Sequence, residues 1–216
     1  MANIIGFSAG VTGSASNVDR MVKEIMGQTG YDSEFVKLTD VNYSACKGCV
    51  WLCAEPEICL LEDELLPYYQ KIKEADAIVL GSPVHFATIS ATMTAFISRL
   101  WGFRHVNFAI KNKPFILAVS GFAEEQQHAT SDDFQKALKH FQVNVVEVVN
   151  FCSTIPPCYK CGRHHQCCIG GAYRKWGTEA HNLKIEQRLF QKWEDCPETM
   201  VAIKEAAKKL KYVMQA

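Results

Sequence analysis

Asn3-Ile4-Ile5-Gly6-Phe7-Ser8-Ala9-Gly10-Val11-Thr12-Gly13-Ser14-Ala15-Ser16-Asn17 decides how this chain begins to fold. Ile4, Ile5 and Phe7 form a short apolar run closed by small residues, the pattern of a buried strand. Ala9 to Ser16 is nearly all Ala, Gly, Ser, Thr and Val, and a helical pattern follows from Asn17 to about Thr29. Strand, small-residue loop and helix form the opening unit of a nucleotide-type α/β fold. Backbone N–H groups and hydroxyls meet a helix N-terminus in that loop, which suits a phosphate. The loop holds no Lys or Arg, so neutral donors must carry the anion. It matches neither G-x-x-x-x-G-K-[ST] nor G-x-G-x-x-G, so the ATP-type and dinucleotide fingerprints are absent. An ordinary βα turn has the same composition.

Working outward, the same alternation continues. Strands are expected at Ser33–Leu38, Ala77–Gly81, Pro114–Ser120 and Val143–Phe151. Helices are expected from an Asp63 cap to Lys73, with Pro67 in the first turn, and over Ser90–Trp101, Asp132–Phe141 and Thr199–Met214. Five strands alternating with helices predict an α/β fold: a five-stranded parallel sheet with helices on both faces. Residues 1–152 form the sheet domain, with a cysteine loop at 46–59. Residues 153–182 form a cysteine-rich loop insert, and 183–216 a C-terminal helical segment packing on the same domain. Met93, Phe96, Ile97 and Trp101 give the Ser90–Trp101 helix a candidate self-association face.

Composition narrows the class. Of 216 residues, 48% are hydrophobic, and 23 Lys+Arg balance 23 Asp+Glu, so no broad charged footprint for nucleic acid or an anionic membrane is expected. No run of about 18 apolar residues spans a membrane, and the N-terminus has no basic, apolar leader pattern. Ten cysteines in such a chain point to a reducing cytoplasm and to metal rather than disulfides. They cluster. Cys46, Cys49, Cys53 and Cys59 have the spacing C-x2-C-x3-C-x5-C, and Cys152, Cys158, Cys161, Cys167 and Cys168 follow in the insert. The first group can hold a 4Fe–4S cluster or a zinc ion, or be buried structural thiols; Val50, Trp51 and Leu52 would shield a redox centre. In the second, Cys158, Cys161, Cys167 and either Cys168 or Cys152 can hold a second 4Fe–4S cluster. A structural zinc site, with His164 or His165 as a further donor, is the alternative. Cys196 reads as a lone buried thiol.

Two more segments lie at strand C-terminal ends, Gly81–Thr88 and Ser120–Gln127, where open α/β sheets bind ligands. Small and apolar residues there suit a flat aromatic ring. One phosphate loop and two ring loops together suggest FMN. The stretch Glu74-Ala75-Asp76-Ala77-Ile78-Val79-Leu80-Gly81-Ser82-Pro83-Val84-His85-Phe86, continued by Ser90 to Arg99, resembles the third strand and loop of flavodoxin-like NAD(P)H-dependent FMN reductases. With the cysteine loop before it, the chain resembles the iron–sulfur flavoprotein branch of that family over roughly residues 3 to 152. It lacks the family's common Ser-Pro-Arg start, and its first cysteine group carries one residue more than the usual C-x2-C-x2-C. The resemblance implies strand order 2-1-3-4-5. It implies FMN phosphate on Ser8, Ser14, Ser16, Asn17 and Val18, and the ring against Pro83, Val84, His85 and Phe86 with Ser120, Gly121 and Phe122 opposite. It also implies a homodimer or homotetramer.

The function expected is an FMN-dependent redox protein passing electrons between flavin and iron–sulfur centres, with a ferredoxin-like or NAD(P)H donor and a small-molecule or protein acceptor. His85 is a weak catalytic candidate that borders the ring. The rival reading is a zinc-stabilised redox sensor or assembly module without turnover.

Overall fold

The computed structural model describes residues 3–13, 16–156, 158–184, 186 and 191–215, with backbone only for 159 and 160. Five parallel strands form the sheet: β1 (Asn3–Ser8), β2 (Asp32–Lys37), β3 (Ala77–His85), β5 (Pro114–Gly121) and β6 (Asn144–Cys152), in the order β2-β1-β3-β5-β6. Numbered among the parallel strands alone, this is the expected 2-1-3-4-5. A short antiparallel strand, β4 (Thr88–Ile89), pairs with the end of β3 and makes a sixth.

Strand residues alternate between two cores, which is why the strands read as continuous apolar runs. Ile5, Phe7, Ile78, Leu80, Phe115, Leu117 and Val119 face one side. They meet Tyr69 and Ile72 of α3 (Tyr68–Glu74), Met93, Phe96 and Ile97 of α4 (Ala91–Arg99), and Phe134 and Leu138 of α5 (Glu124–Lys139). Ile4, Ala77, Val79, Ile116 and Ala118 face the other, under Met21, Val22, Ile25 and Met26 of α1 (Asn17–Thr29) and Ile203, Ala206 and Leu210 of α8 (Pro197–Gln215). The remaining helices are short: α2 (Val50–Cys53), α6 (Cys158–Cys161) and α7 (Gly171–Trp176).

Several expectations change. α3 begins at Tyr68, not Asp63: Asp63 Oδ1 accepts from Leu65 N at 3.1 Å in a turn before the helix, and its other oxygen is taken by Arg99. α5 begins at Glu124, two turns before Asp132, because its first turns are polar and show no apolar period; Glu124 and Glu125 suit a helix N-terminus. Met93, Phe96 and Ile97 are core residues and offer no self-association face; of that group Trp101 is exposed.

The end of β3 is folded back on itself. Val84 pairs with Ile89 and His85 with Thr88, leaving Phe86 and Ala87 as a two-residue hairpin loop. Both have positive φ, 54° and 60°. This is the primed turn that favours Asn-Gly, so Phe-Ala holds it against steric cost. Behind the hairpin, the buried Ser82 Oγ accepts from Ser90 N at 2.9 Å and ties the end of β3 to the start of α4. Ala87→Gly is expected to raise stability by about 1 kcal/mol, read as a higher urea midpoint at unchanged slope.

Candidate functional site

The phosphate-type loop is built inward. Ser8 Oγ donates to Asp19 Oδ1 at 2.6 Å and accepts from Gly10 N at 3.1 Å, so this hydroxyl is spent on loop shape. Ser16 is the helix N-cap and accepts from Asp19 N at 3.2 Å. A Cβ on Gly10 would collide with Asp19 Oδ1 and Ser16 Oγ, so only glycine lets the chain pass. The Asn17 side chain is committed elsewhere: Nδ2 donates to Gln191 O at 3.1 Å, and Oδ1 accepts from Arg20 and from Trp193 N. Asn17 and Val18 therefore offer backbone N–H groups of the first helical turn to an anion. Ser14 lies outside the described residues.

A cation from the neighbouring strand also reaches this loop. Ser8 and Lys37 are register partners at the ends of β1 and β2. Lys37 Nζ consequently reaches the loop, 2.7 Å from Gly13 O and 2.8 Å from Asp19 Oδ2. No local motif signals this residue; only the strand register brings it there.

The ring loops face each other across β3 and β5. Pro83 pairs with Ser120 in the sheet, and a Cβ on Gly121 would meet Val84 Cγ2 at 2.8 Å, so these loops touch without room to spare. Pro83, Val84 and His85 belong to β3 itself; His85 is exposed, and the Phe86 ring stands fully in solvent at the hairpin tip. Phe122 is half-buried, and its carbonyl accepts from Cys152 Sγ at 3.3 Å. Cys152 is thereby placed at the flavin-type edge rather than in the second cysteine group; burial and the nearby Glu124 charge push its thiol up.

The first cysteine group lies beside these loops. Cys46, Cys49, Cys53 and Cys59 line one hollow together with Arg99 and Trp101. Burial pushes the Cys53 thiol up, and Cys59, Cys49 and Cys46 add to the effect, so the sulfurs sense one another. N–H donors reach two of them, Arg99 Nε to Cys59 Sγ at 3.0 Å and Gly48 N to Cys46 Sγ at 3.4 Å, while His105 Nε2 lies 3.2 Å from Cys53 Sγ. The donor set therefore fits a soft, thiolate-bound centre. Among the described residues, no three His, Cys, Asp or Glu side chains stand close enough to hold an ion. Of the expected shield, Val50 and Leu52 line the hollow while partly exposed on α2, and Trp51 turns away into solvent at 74%.

Arg99 and Gly102 seat this loop, and no local motif signals that role for either. Arg99 is 1% exposed. It pairs with Asp63 through both carboxylate oxygens, at 2.6 and 3.1 Å, and donates to Ser44 O at 2.8 Å. A Cβ on Gly102 would meet the Ile58 and Cys59 backbone at 2.8–3.0 Å, so the loop rests directly on it. A second hollow, about 540 Å3, joins Cys46 to His85, Phe86 and Ser98. Cys46 N donates to Ser98 Oγ at 3.0 Å on its wall.

With this geometry in view, comparison with known proteins identifies the chain. The model of the NADPH-dependent FMN reductase family matches residues 2–154. The chain belongs to that family. This supports a flavin redox protein with FMN as cofactor. An iron–sulfur flavoprotein of Methanocaldococcus jannaschii is 34% identical over 110 residues, covering 48% of this chain and 56% of that protein. The chain spans about half the length of the curated relatives it matches. Two solved structures share the fold. RosB, solved with 8-demethyl-8-formylriboflavin-5'-phosphate, has a TM-score of 0.66 at 15% identity over 100% of this chain and 79% of its own. A flavodoxin, WrbA-like protein of Agrobacterium tumefaciens has 0.58 at 10% identity over 100% and 99%. All ten cysteines are free thiols, and among the described residues no helix is long and apolar enough to cross a membrane.

Breaking the buried Arg99–Asp63 pair with Asp63→Asn should cost about 3–5 kcal/mol at neutral pH. Burial pushes the Asp63 carboxyl up, but the Arg99 hydrogen bonds and charge outweigh it and hold it below its ordinary value of 3.8. A lowered folded value means the contribution is complete above 3.8 and lost as pH falls through the lowered value. Urea midpoints of wild type and variant should differ at pH 7 and converge on acidification below 3.8.

Proposed function

We propose that this chain is an FMN-dependent oxidoreductase that passes electrons between flavin and a 4Fe–4S cluster on Cys46, Cys49, Cys53 and Cys59, reducing a small molecule or a protein partner. The observation that carries the reading is the shared hollow: Cys46 of the cysteine loop and His85 and Phe86 of the ring loop line one cavity. FMN accepts electrons in pairs and releases them singly, which matches a two-electron donor to a one-electron cluster.

The chain's own residues have separable tasks in this reading. The first-turn N–H groups of Asn17 and Val18, with the Ser16 hydroxyl, face the phosphate, and Lys37 offsets its charge from β2. Asp19 holds Lys37 and Ser8 in place. Pro83, Val84, His85 and Phe86 give the ring one wall, and Ser120, Gly121 and Phe122 the other. His85 is exposed at the strand end and can donate or accept a hydrogen bond at the ring edge. Arg99 directs an N–H at the Cys59 sulfur, which favours its thiolate, and the His105 ring stands beside the Cys53 sulfur. The four cysteines draw inward to bind. An NAD(P)H or ferredoxin-like donor reaches the ring from the open side of the crevice, in a cytoplasmic, reducing setting where the thiols persist.

Protein purified without oxygen should contain FMN, with about four irons and four sulfides for this loop. Cys49→Ser should remove that iron and leave FMN bound. Zinc in place of iron in the loop, or absence of flavin, would overturn the reading. Lys37→Met should weaken FMN binding about 10–100-fold, the effect of losing one charge-assisted hydrogen bond, measured by flavin fluorescence titration.

A further inference from the structure

The segment after β6 lies beyond the family match, which ends at residue 154. It is poorly held by apolar packing. Between residues 153 and 192 the described side chains that are buried are Pro156, Ala172 and Ala180. Its elements are single turns or little more: Cys158–Cys161, His164–Gln166, Gly171–Trp176 and Gly177–Asn182. Helices this short do not persist by themselves. Three small buried residues do not offset an ordering cost of about 1–2 kcal/mol for each residue of the segment. Among the described residues, cohesion comes instead from polar contacts.

The sulfurs take part in them. Cys158 and Cys161 stand three positions apart on α6, and Gly162, at φ +69°, turns the chain back by donating its N–H to Cys158 O at 3.0 Å. Cys158 Sγ accepts from Ala172 N at 3.2 Å, and Cys167 Sγ from Gly170 N at 3.1 Å. A Cβ on Gly170 would lie 3.0 Å from Cys167 Sγ and 3.4 Å from Cys158 Sγ. Two sulfurs from different turns thus converge on one spot that a glycine keeps clear, each already receiving a backbone N–H. His181 stands over the same turn. Its Nε2 lies 3.4 Å from Cys167 O and 4.0 Å from Cys168 Sγ, and its ring stacks on Tyr173 with centroids 5.5 Å apart.

We propose that Cys158, Cys161, Cys167 and His181 bind one zinc ion that holds this segment together. Three thiolates and an imidazole are a tetrahedral structural zinc set, whereas a cubane needs a thiolate for each iron. The other candidates are otherwise placed. Cys152 donates to Phe122 O, and His164 Nε2 is 2.5 Å from Leu183 O. Cys168 follows Cys167 directly, which leaves little freedom for both to reach one small ion. On binding, the three thiols release three protons to solvent and His181 binds through a neutral ring nitrogen, leaving the centre with one negative charge. Among the described residues no three of these groups yet stand close enough to hold an ion, so binding draws the exposed Cys161 and the half-buried His181 onto the Cys158–Cys167 pair. The ion then fixes α7, whose Gly171 has a Cβ position 3.4 Å from Phe122 Cε1, so it braces the wall of the ring loop.

The test is zinc and iron analysis of the full FMN-loaded chain, purified without oxygen from zinc-supplemented cells. About one zinc per chain is expected. Cys161→Ser should abolish it and expose residues 158–182 to limited proteolysis, with iron and FMN unchanged. His181→Ala should weaken zinc binding about tenfold or more, and Cys168→Ser should not. No zinc in the wild type, zinc unchanged in Cys161→Ser, or iron lost from that variant overturns the proposal. Zinc lost from Cys168→Ser but kept in His181→Ala overturns the fourth ligand. Zinc is read separately from the iron and FMN of the first site, so failure of one assignment is distinguishable from failure of the other.

Discussion

The buried Arg99 guanidinium is the hinge of the whole arrangement. A charge at 1% exposure is tolerated only where its donors find partners, and here Nη1 reaches Asp63 Oδ2 and Ser44 O, Nη2 reaches Asp63 Oδ1, and Nε reaches Cys59 Sγ. These partners lie before, within and after the first cysteine loop, so one side chain fixes both ends of it. The same residue closes α4, whose start is tied through Ser90 to the end of β3. Cysteine loop and ring hairpin are therefore anchored to opposite ends of a single short helix, and their separation is set by its length.

Much of this was legible in the residues. The apolar runs of the strands are buried on both faces, and such runs announce a parallel sheet whatever their order. Cysteine spacing pointed to the loop that lines one hollow. What stayed hidden acts through the sheet and not through the local chain. Lys37 is an ordinary strand lysine until register sets it beside Ser8. Arg99 looks like a helix-end cation until its carboxylate partner, 36 residues away, folds onto it. The first turns of α5 carry no apolar period because their buried positions are Gln127, Thr130 and Ser131, polar groups that find partners inside the fold. His181 gave no signal because it stands thirteen residues after Cys168, in a segment without periodicity.

The hairpin at Phe86 and Ala87 inverts the usual relation between ease of folding and use. A primed turn made from residues that resist positive φ persists because β4, the Ser82 clamp and the α4 cap together over-determine it. It presents a fully exposed phenyl ring at a fixed height over the hollow. A flat partner meeting this ring finds it already positioned, and does not have to order a loop first.

The tie between α1 and the far end of the chain has a bearing on how the molecule should be dissected. Asn17 holds Gln191 O and Trp193 N, and Arg20 pairs with Glu194 at 2.5 Å. The first turn of α1 is thus oriented from residues some 174 positions away. A deletion that removed the tail to simplify the protein would also release the helix entry at the other end of the sequence. Polar contacts thus close the chain on itself, and the entry of α1 and the turn before α8 work as a single joint.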